Sequence, residues 1–395
     1  MNALSPTGLA PAASVPERSR GCRHHEPQVP GQTVFQRDRD RVIHSTAFRR
    51  LAYKTQVFLN HEGDLFRTRI THSLEVAQLA RSIARSLRLN EDLCEAISLA
   101  HDLGHTPFGH AGQHALDDCV RVADPNSVGF EHNAQSLRVV DHLEERYLSH
   151  DGLNLSFEAR EGILKHCSLR HAHALEVIEP GGVAARFIHR TRPSLEAQLC
   201  NVADELAYNA HDIDDGVRAG LLELPQLLEL PLFERFHRQV LTEHPQAEGR
   251  RLLFEVIRRM LSYQVDDLIA ASSERMAKHA PRDAGEVARA PTLVACSDEV
   301  SAQSTQIKSL LRRQLYQHPR VVAANDVVRQ VLRDLFQAYA EAPEQMPASH
   351  AARVPRQLAI TDYIAGMTDR FALREHARLF GDQLTSRLPR QLLPL

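Results

Sequence analysis

The sequence predicts an almost wholly α-helical protein. Strand signals are scarce, with few β-branched runs and almost no Asn-Gly or Asp-Gly hairpin turns. Apolar residues instead recur at steps of three and four, the spacing that puts them on one face of a helix. Hydrophobic residues make up 43% and charged residues 25% of 395 positions, enough core for two or three domains of about 150 residues each. A net charge of −3 predicts no strong overall pull toward nucleic acid, local basic patches aside. No apolar run approaches the roughly 20 residues that cross a bilayer, so no membrane partner is expected. The six cysteines form no CxxC pair, which points to reduced thiols and a cytoplasmic protein.

The elements follow in order. Residues 1–34, rich in Ala, Pro and Ser, lack the basic start and apolar run of a secretory signal and read as a flexible tail. In THSLEVAQLARSIARSLRL (71–89), Val76, Leu79, Ile83 and Leu87 form an apolar stripe, and His72 lies on it one turn earlier. NEDLCEAISLAHDLGH (90–105) opens with Asn90 as N-cap, while Gly104 and Pro107 stop the helix. His101 and Asp102 therefore fall in its last buried turn, with His105 and His110 in the loop beyond. SLEAQLCNVADELAYNAHDIDDG (194–216) has two faces: Leu195, Leu199, Val202 and Leu206 on one, and Asp204 with Ala197, Cys200, Ala207, Tyr208 and His211 on the other. Two specialised faces suggest a helix sandwiched in the interior. Further on, 279–291 reads as a mobile loop or boundary, 306–321 as a basic amphipathic helix, 340–355 as a Pro- and Ala-rich loop, and 361–373 as a final helix.

The chemistry concentrates in HDLGHTPFGH (101–110), in a chain that holds 23 histidines. Two imidazoles and two carboxylates, His72, His101, Asp102 and Asp204, suit a first-row divalent ion with open positions for water and a substrate oxygen. Without nearby cysteine, a closed structural zinc site is disfavoured. A lone inward histidine is more often a hydrogen-bonded core residue, and an HD dipeptide alone is a weak signal. The inward His, the HD pair at a helix end and the later Asp on a small-residue face are together much harder to obtain by accident.

This arrangement resembles the HD superfamily of metal-dependent phosphohydrolases. DRDRVIHSTAFRRLAYKTQVF (38–58), RTRITHSLEVAQLARSI (67–83), HDLGHTPFGHAG (101–112), GFEHNAQSLR (129–138) and VADELAYNAHDIDDG (202–216) are similar to its deoxynucleoside triphosphate triphosphohydrolase branch. The resemblance implies an all-α HD-domain helical core over 35–216 and a C-terminal helical extension over 217–395 packed on it. It implies hydrolysis of a dNTP, dGTP among the candidates, to deoxynucleoside and tripolyphosphate. One divalent ion (Mn2+, Mg2+, Fe2+, Co2+, Ni2+ or Zn2+) would be held by His72, His101, Asp102 and Asp204. His105 and His110 match histidines facing the α-phosphate, and Arg69 a phosphate-binding arginine. Gln56 and Val57 match contacts to sugar and base, and Tyr208 and Asp212 those to the sugar and its 3′-hydroxyl. As general acid for a poor 5′-alkoxide leaving group, His110 would contribute about 10²–10⁴-fold.

Two departures stand out. Where some members pair the second loop histidine with a glutamate, this chain has Gln113, so either another carboxylate, Asp117 or Glu131, works with His110 or activity is reduced. Where some relatives carry a lysine after the last metal-binding Asp, this chain has Glu205. The resemblance also implies a homo-oligomer, and the basic stretch with Lys308, Arg312, Arg313 and Arg320 could bind an activating nucleotide or single-stranded DNA. The competing readings are an HD nucleotidase or phosphodiesterase, and a catalytically weak nucleic-acid-binding or regulatory homologue.

Overall fold

A computed structural model describes residues 8–27, 29–56, 66–384, 386 and 388. Among them the chain forms nineteen α-helices and no sheet; the only strand-like pairings are isolated bridges, Cys22 to Ser156 and Thr55 to Thr68. The all-α expectation holds. None of the helices is long and apolar enough to cross a membrane. In chain order the helices are α1 (Val34–Ile43), α2 (Thr46–Arg50), α3 (Arg69–Leu87), α4 (Glu91–Ala100), α5 (Gly109–Ala123), α6 (His132–Arg138), α7 (Phe157–Ile163), α8 (Leu169–Ile178), α9 (Ala185–His189) and α10 (Leu195–Arg218). There follow α11 (Leu224–Leu227), α12 (Pro231–Glu243), α13 (Gly249–His279), α14 (Ala284–Arg289), α15 (Asp298–Leu311), α16 (Pro319–Glu341), α17 (Ala348–Ala351), α18 (Arg356–Ala365) and α19 (Asp369–Phe380).

Two compact units divide the chain. The first comprises Met1–Val15, Glu75–Glu95 and Arg192–Val321; the second comprises Pro16–Leu74, Ala96–Thr191 and Val322–Leu395. Each takes residues from both sides of position 216.

In the first unit α10 is buried around most of its circumference. Leu195, Leu199 and Leu206 are covered, and so are the polar Glu196, Gln198, Asn209, His211, Asp212, Asp214 and Asp215. The sandwiched helix expected from its two faces is therefore present. Ser194 caps it by accepting the Ala197 N–H. Within the stretch expected to be a tail, residues 10–15 pack against the unit, with Ala10, Ala12, Ala13 and Val15 buried. The cause is Glu196, a fully buried carboxylate that accepts the Ser14 N–H at 3.0 Å, the Ser14 hydroxyl at 2.8 Å and the Asn90 N–H at 3.0 Å. A carboxylate out of water needs such donors, and low-complexity composition does not reveal where they come from.

In the second unit the core joins distant helices. Ala111, Ala115, Leu116 and Val120 of α5 pack with Val328, Val331, Leu332, Leu335 and Phe336 of α16, and with Ile360, Ile364, Ala372 and Leu373 of α18 and α19. The C-terminal helices thus form the back wall of the segment that begins at His101.

Three local expectations change. The loop at 279–291 contains α14, because the Asp283 side chain accepts the Glu286 N–H and starts a helix after Pro281. The loop at 340–355 contains the single turn α17. The helix expected at 361–373 is two helices, since α18 ends at Gly366 and Thr368 caps α19 by accepting the Phe371 N–H.

Candidate active site

The HD turn is built by two helices. Asn90 caps α4 by accepting the Leu93 N–H at 3.0 Å, and α4 ends at Ala100. His101 and Asp102 follow immediately, in a turn backed by α6. The Ser136 hydroxyl accepts the Gly104 N–H at 2.8 Å and donates to the His101 carbonyl at 2.9 Å. A side chain at 104 has no room, because a Cβ there would lie 2.1 Å from Ser136 N and 2.4 Å from His132 O. His72, one turn into α3, is 1% exposed.

His72, His101 and Asp102 each offer a ligand atom, and these three atoms lie within 4.8 Å of one another. The residues fit a cation on their own chemistry. His101 Nδ1 lies 2.6 Å from the Ser98 carbonyl, which can only accept. Nδ1 therefore carries the proton, leaving the Nε2 lone pair directed to the cluster, the orientation a metal-binding imidazole needs. Asp102 Oδ1 faces His101 Nε2 at 3.3 Å and His105 Nε2 at 3.4 Å, while Oδ2 pairs with the buried Arg69 guanidinium at 2.6 Å.

Beside the cluster stands a group of histidines that includes one the sequence reading passed over. His105 stacks on His132 with centroids 3.9 Å apart, and His110 lies edge-on to both, at 5.6 Å and 6.1 Å. Burial, then the Arg69 charge, holds His105 well below the usual imidazole pKa. Burial lowers His132 to about 3. Both are neutral near pH 7. His110 is exposed and belongs to the first turn of α5, not to a loop. Gln113 pairs with His132, its Oε1 accepting from Nδ1 at 2.6 Å. An amide oxygen suffices there, because a neutral imidazole needs an acceptor and no counter-charge. His132 stood inside the block GFEHNAQSLR; its pairing with a residue 19 positions earlier could not be read from one sequence.

The two carboxylates expected to substitute for a glutamate at 113 have other work. Asp117 Oδ1 accepts the Phe130 N–H at 2.7 Å and Oδ2 pairs with Arg121 Nε at 2.8 Å, closing the connection from α5 to α6. Glu131 is the N-cap of α6, accepting the Asn133 and Ala134 N–H groups at 3.0 Å each. Its Oε1 is also 3.4 Å from His132 Nδ1. Through these contacts both residues shape the chain around His132. Gln56 Oε1 is buried without a hydrogen-bond partner among the described residues. Val57 lies outside the described residues.

Asp204, Tyr208 and Asp212 belong to the first unit, on α10. The fully buried Asp212 accepts a hydrogen bond from the Tyr316 hydroxyl and faces His211 Nδ1 at 2.7 Å. Tyr208 and Tyr316 rings are 6.1 Å apart. Tyr316 closes a π-helical turn, Arg312–Tyr316, inside the stretch read only as a basic helix. The charges of that stretch are partly neutralised: Lys308 pairs with Glu205 at 2.6 Å and Arg313 faces Glu229 at 3.5 Å. Lys308 thus brings an ammonium from α15 to the position where Glu205 replaces the expected lysine.

Comparison with known proteins finds two domain matches and several relatives. Residues 69–209 match the HD domain, and residues 294–378 match the phosphohydrolase-associated domain. A deoxyguanosinetriphosphate triphosphohydrolase-like protein of Bordetella parapertussis is 57% identical over 374 residues, covering 94% of this chain and 96% of that one. Proteins of the same description from Ralstonia nicotianae and Thiobacillus denitrificans are 55% and 51% identical, each over 94% of this chain and over 94% and 97% of their own lengths. The chain belongs to the deoxyguanosinetriphosphate triphosphohydrolase-like family, phosphohydrolases built on an HD domain.

Proposed function

We propose that the protein hydrolyses deoxynucleoside triphosphates at the α-phosphorus, releasing the deoxynucleoside and intact tripolyphosphate. The observation that carries this reading is the convergence of His72, His101 and Asp102 beside the His105, His110 and His132 group. The names of the relatives support the substrate class. A divalent cation held by the cluster would supply charge neutralisation and Lewis acidity toward a phosphoryl oxygen. The parts of Asp204, Tyr208 and Asp212 rest on the sequence blocks alone.

The chain's own residues supply positioning and protons. Arg69 is held by Asp102 through one terminal nitrogen, and its Nε makes no hydrogen bond among the described residues, so the guanidinium has donors left for phosphate oxygens. Water adds to the α-phosphorus and the bond to the 5′-oxygen breaks. His110, reachable from solvent at the start of α5, donates the proton that the departing 5′-oxygen needs. His105 and His132, kept neutral by burial, add no positive charge beside the cluster at rest, and either could take up a proton only by becoming a cation for as long as it holds it.

The test is product analysis. Purified protein is incubated with each dNTP, singly and mixed, with Mn2+ or Mg2+, and products are resolved by ion exchange. Tripolyphosphate and deoxynucleoside in equal amounts are expected. Stepwise release of orthophosphate, or no dNTP consumption under any of these conditions, overturns the reading.

A further inference from the structure

The turn that presents His110 is strained and tied from far downstream. Phe108 has φ of +62°, a left-handed conformation that L residues other than glycine rarely adopt. Gly109 follows at φ +56°, and a Cβ there would lie 3.2 Å from an Arg69 guanidinium nitrogen and 3.6 Å from the Gln56 carbonyl oxygen, so the two segments meet at this residue. His110 comes next. The Phe108 N–H donates to Asp369 Oδ1 at 2.9 Å, across 261 residues of sequence. Asp369 Oδ2 accepts the Thr55 N–H at 2.9 Å and also the Thr55 hydroxyl. Thr55 precedes Gln56. A single carboxylate, 4% exposed, therefore holds both segments that meet at Gly109.

Asp369 is not needed by its own helix, because Thr368 already caps α19. A second tie reinforces the first: the buried Lys54 ammonium donates to the His105 carbonyl and, at 2.8 Å, to the Ala365 carbonyl. Both anchors sit within the phosphohydrolase-associated region, and both act on the 105–110 turn.

We propose that Asp369 is a positioning residue: by gripping Phe108 and Thr55 together it sets the left-handed turn that aims His110 at the leaving oxygen and fixes Gln56 alongside. Asp369 does not touch substrate. The proposal rests on the reading of His110 as the acid for the departing 5′-oxygen.

The test compares two substrates, a deoxynucleoside triphosphate and 4-nitrophenyl triphosphate, whose nitrophenolate departs without a proton. In Asp369→Asn, kcat on the dNTP falls by about 10²-fold, the scale of a misplaced catalytic group. The loss on the aryl substrate stays within about threefold, and His110→Ala shows the same contrast, as expected when only acid assistance is lost. In Asp369→Ala, which leaves the Phe108 N–H no acceptor, hydrogen exchange at the Phe108 amide accelerates at least about tenfold while amides inside α5 keep their protection. Thr55→Val, which keeps the grip on Phe108, raises KM by about three- to tenfold with kcat retained. It carries the test if Asp369→Asn fails to fold. Equal losses on both substrates, unchanged Phe108 exchange in Asp369→Ala, or unaltered constants in Thr55→Val overturn the proposal. If the wild-type protein hydrolyses neither substrate, the reading of function falls instead, and the exchange measurement still reports whether Asp369 holds the turn.

Discussion

Replacing Gly104 by alanine tests the construction of the site at its tightest point. The new Cβ would sit 2.1 Å from Ser136 N, 2.4 Å from His132 O and 2.5 Å from the Gln135 carbonyl carbon, all backbone atoms that cannot swing aside. The turn and α6 must separate by about 1 Å, and overpacking of this kind costs about 1–3 kcal/mol. Separation also weakens the two hydrogen bonds of Ser136, to Gly104 and His101, each worth about 1 kcal/mol. The sum is about 3–5 kcal/mol, or a fall in Tm of about 4–6 °C for a protein of this size. The same shift moves His101 and Asp102 away from His132, and displacement on this scale costs about 10²-fold in turnover. Differential scanning fluorimetry and ion-exchange assay of tripolyphosphate measure both effects. Ser136→Ala is the control: it removes both bonds without a clash, so Tm falls by about half as much and turnover is largely kept. A Gly104→Ala protein with unchanged Tm and full turnover would show that α6 does not brace the turn.

Four further outcomes are expected. His101→Ala abolishes divalent-ion uptake measured by elemental analysis; chelator lowers the Tm of the loaded wild type, by about 2.7 kcal/mol of lost binding at a hundredfold excess over Kd, but leaves the variant unchanged. Asp117→Ala lowers Tm by several degrees through loss of the Phe130 and Arg121 bonds yet keeps kcat within about threefold, whereas a catalytic Asp117 would lose far more. Burial raises Asp38 from its usual 3.8 to about 7, so the folded state binds its proton more tightly than the unfolded state does. Its stabilising contribution is therefore full below about pH 4 and lost as pH rises toward 7. Asp38→Asn should be flatter than wild type across that window in Tm against pH, and parallel curves would refute the assignment. Ser14→Ala removes one donor to the buried Glu196 and should cost about 1–3 kcal/mol in urea unfolding, which a flexible tail would not.

The sequence by itself determined the helical class, the inward placement of His72 and the cap at Asn90, because these follow from the 3.6-residue period and from contacts within one turn. It also brought His101 and Asp102 to a helix end and suggested an ion, since the chemistry of the side chains needs no partner to be legible. Only the tertiary structure decided which residue Gln113 serves, that Asp117 and Glu131 brace backbone, that Ser14 satisfies Glu196, and that Asp369 grips the Phe108 turn. Each of these is a polar group, buried or partly buried, whose partner lies 13 to 261 residues away or whose capping role depends on where a helix starts. Such pairings leave no periodic trace, because burial demands only that a donor arrive, not that it come from any particular distance along the chain.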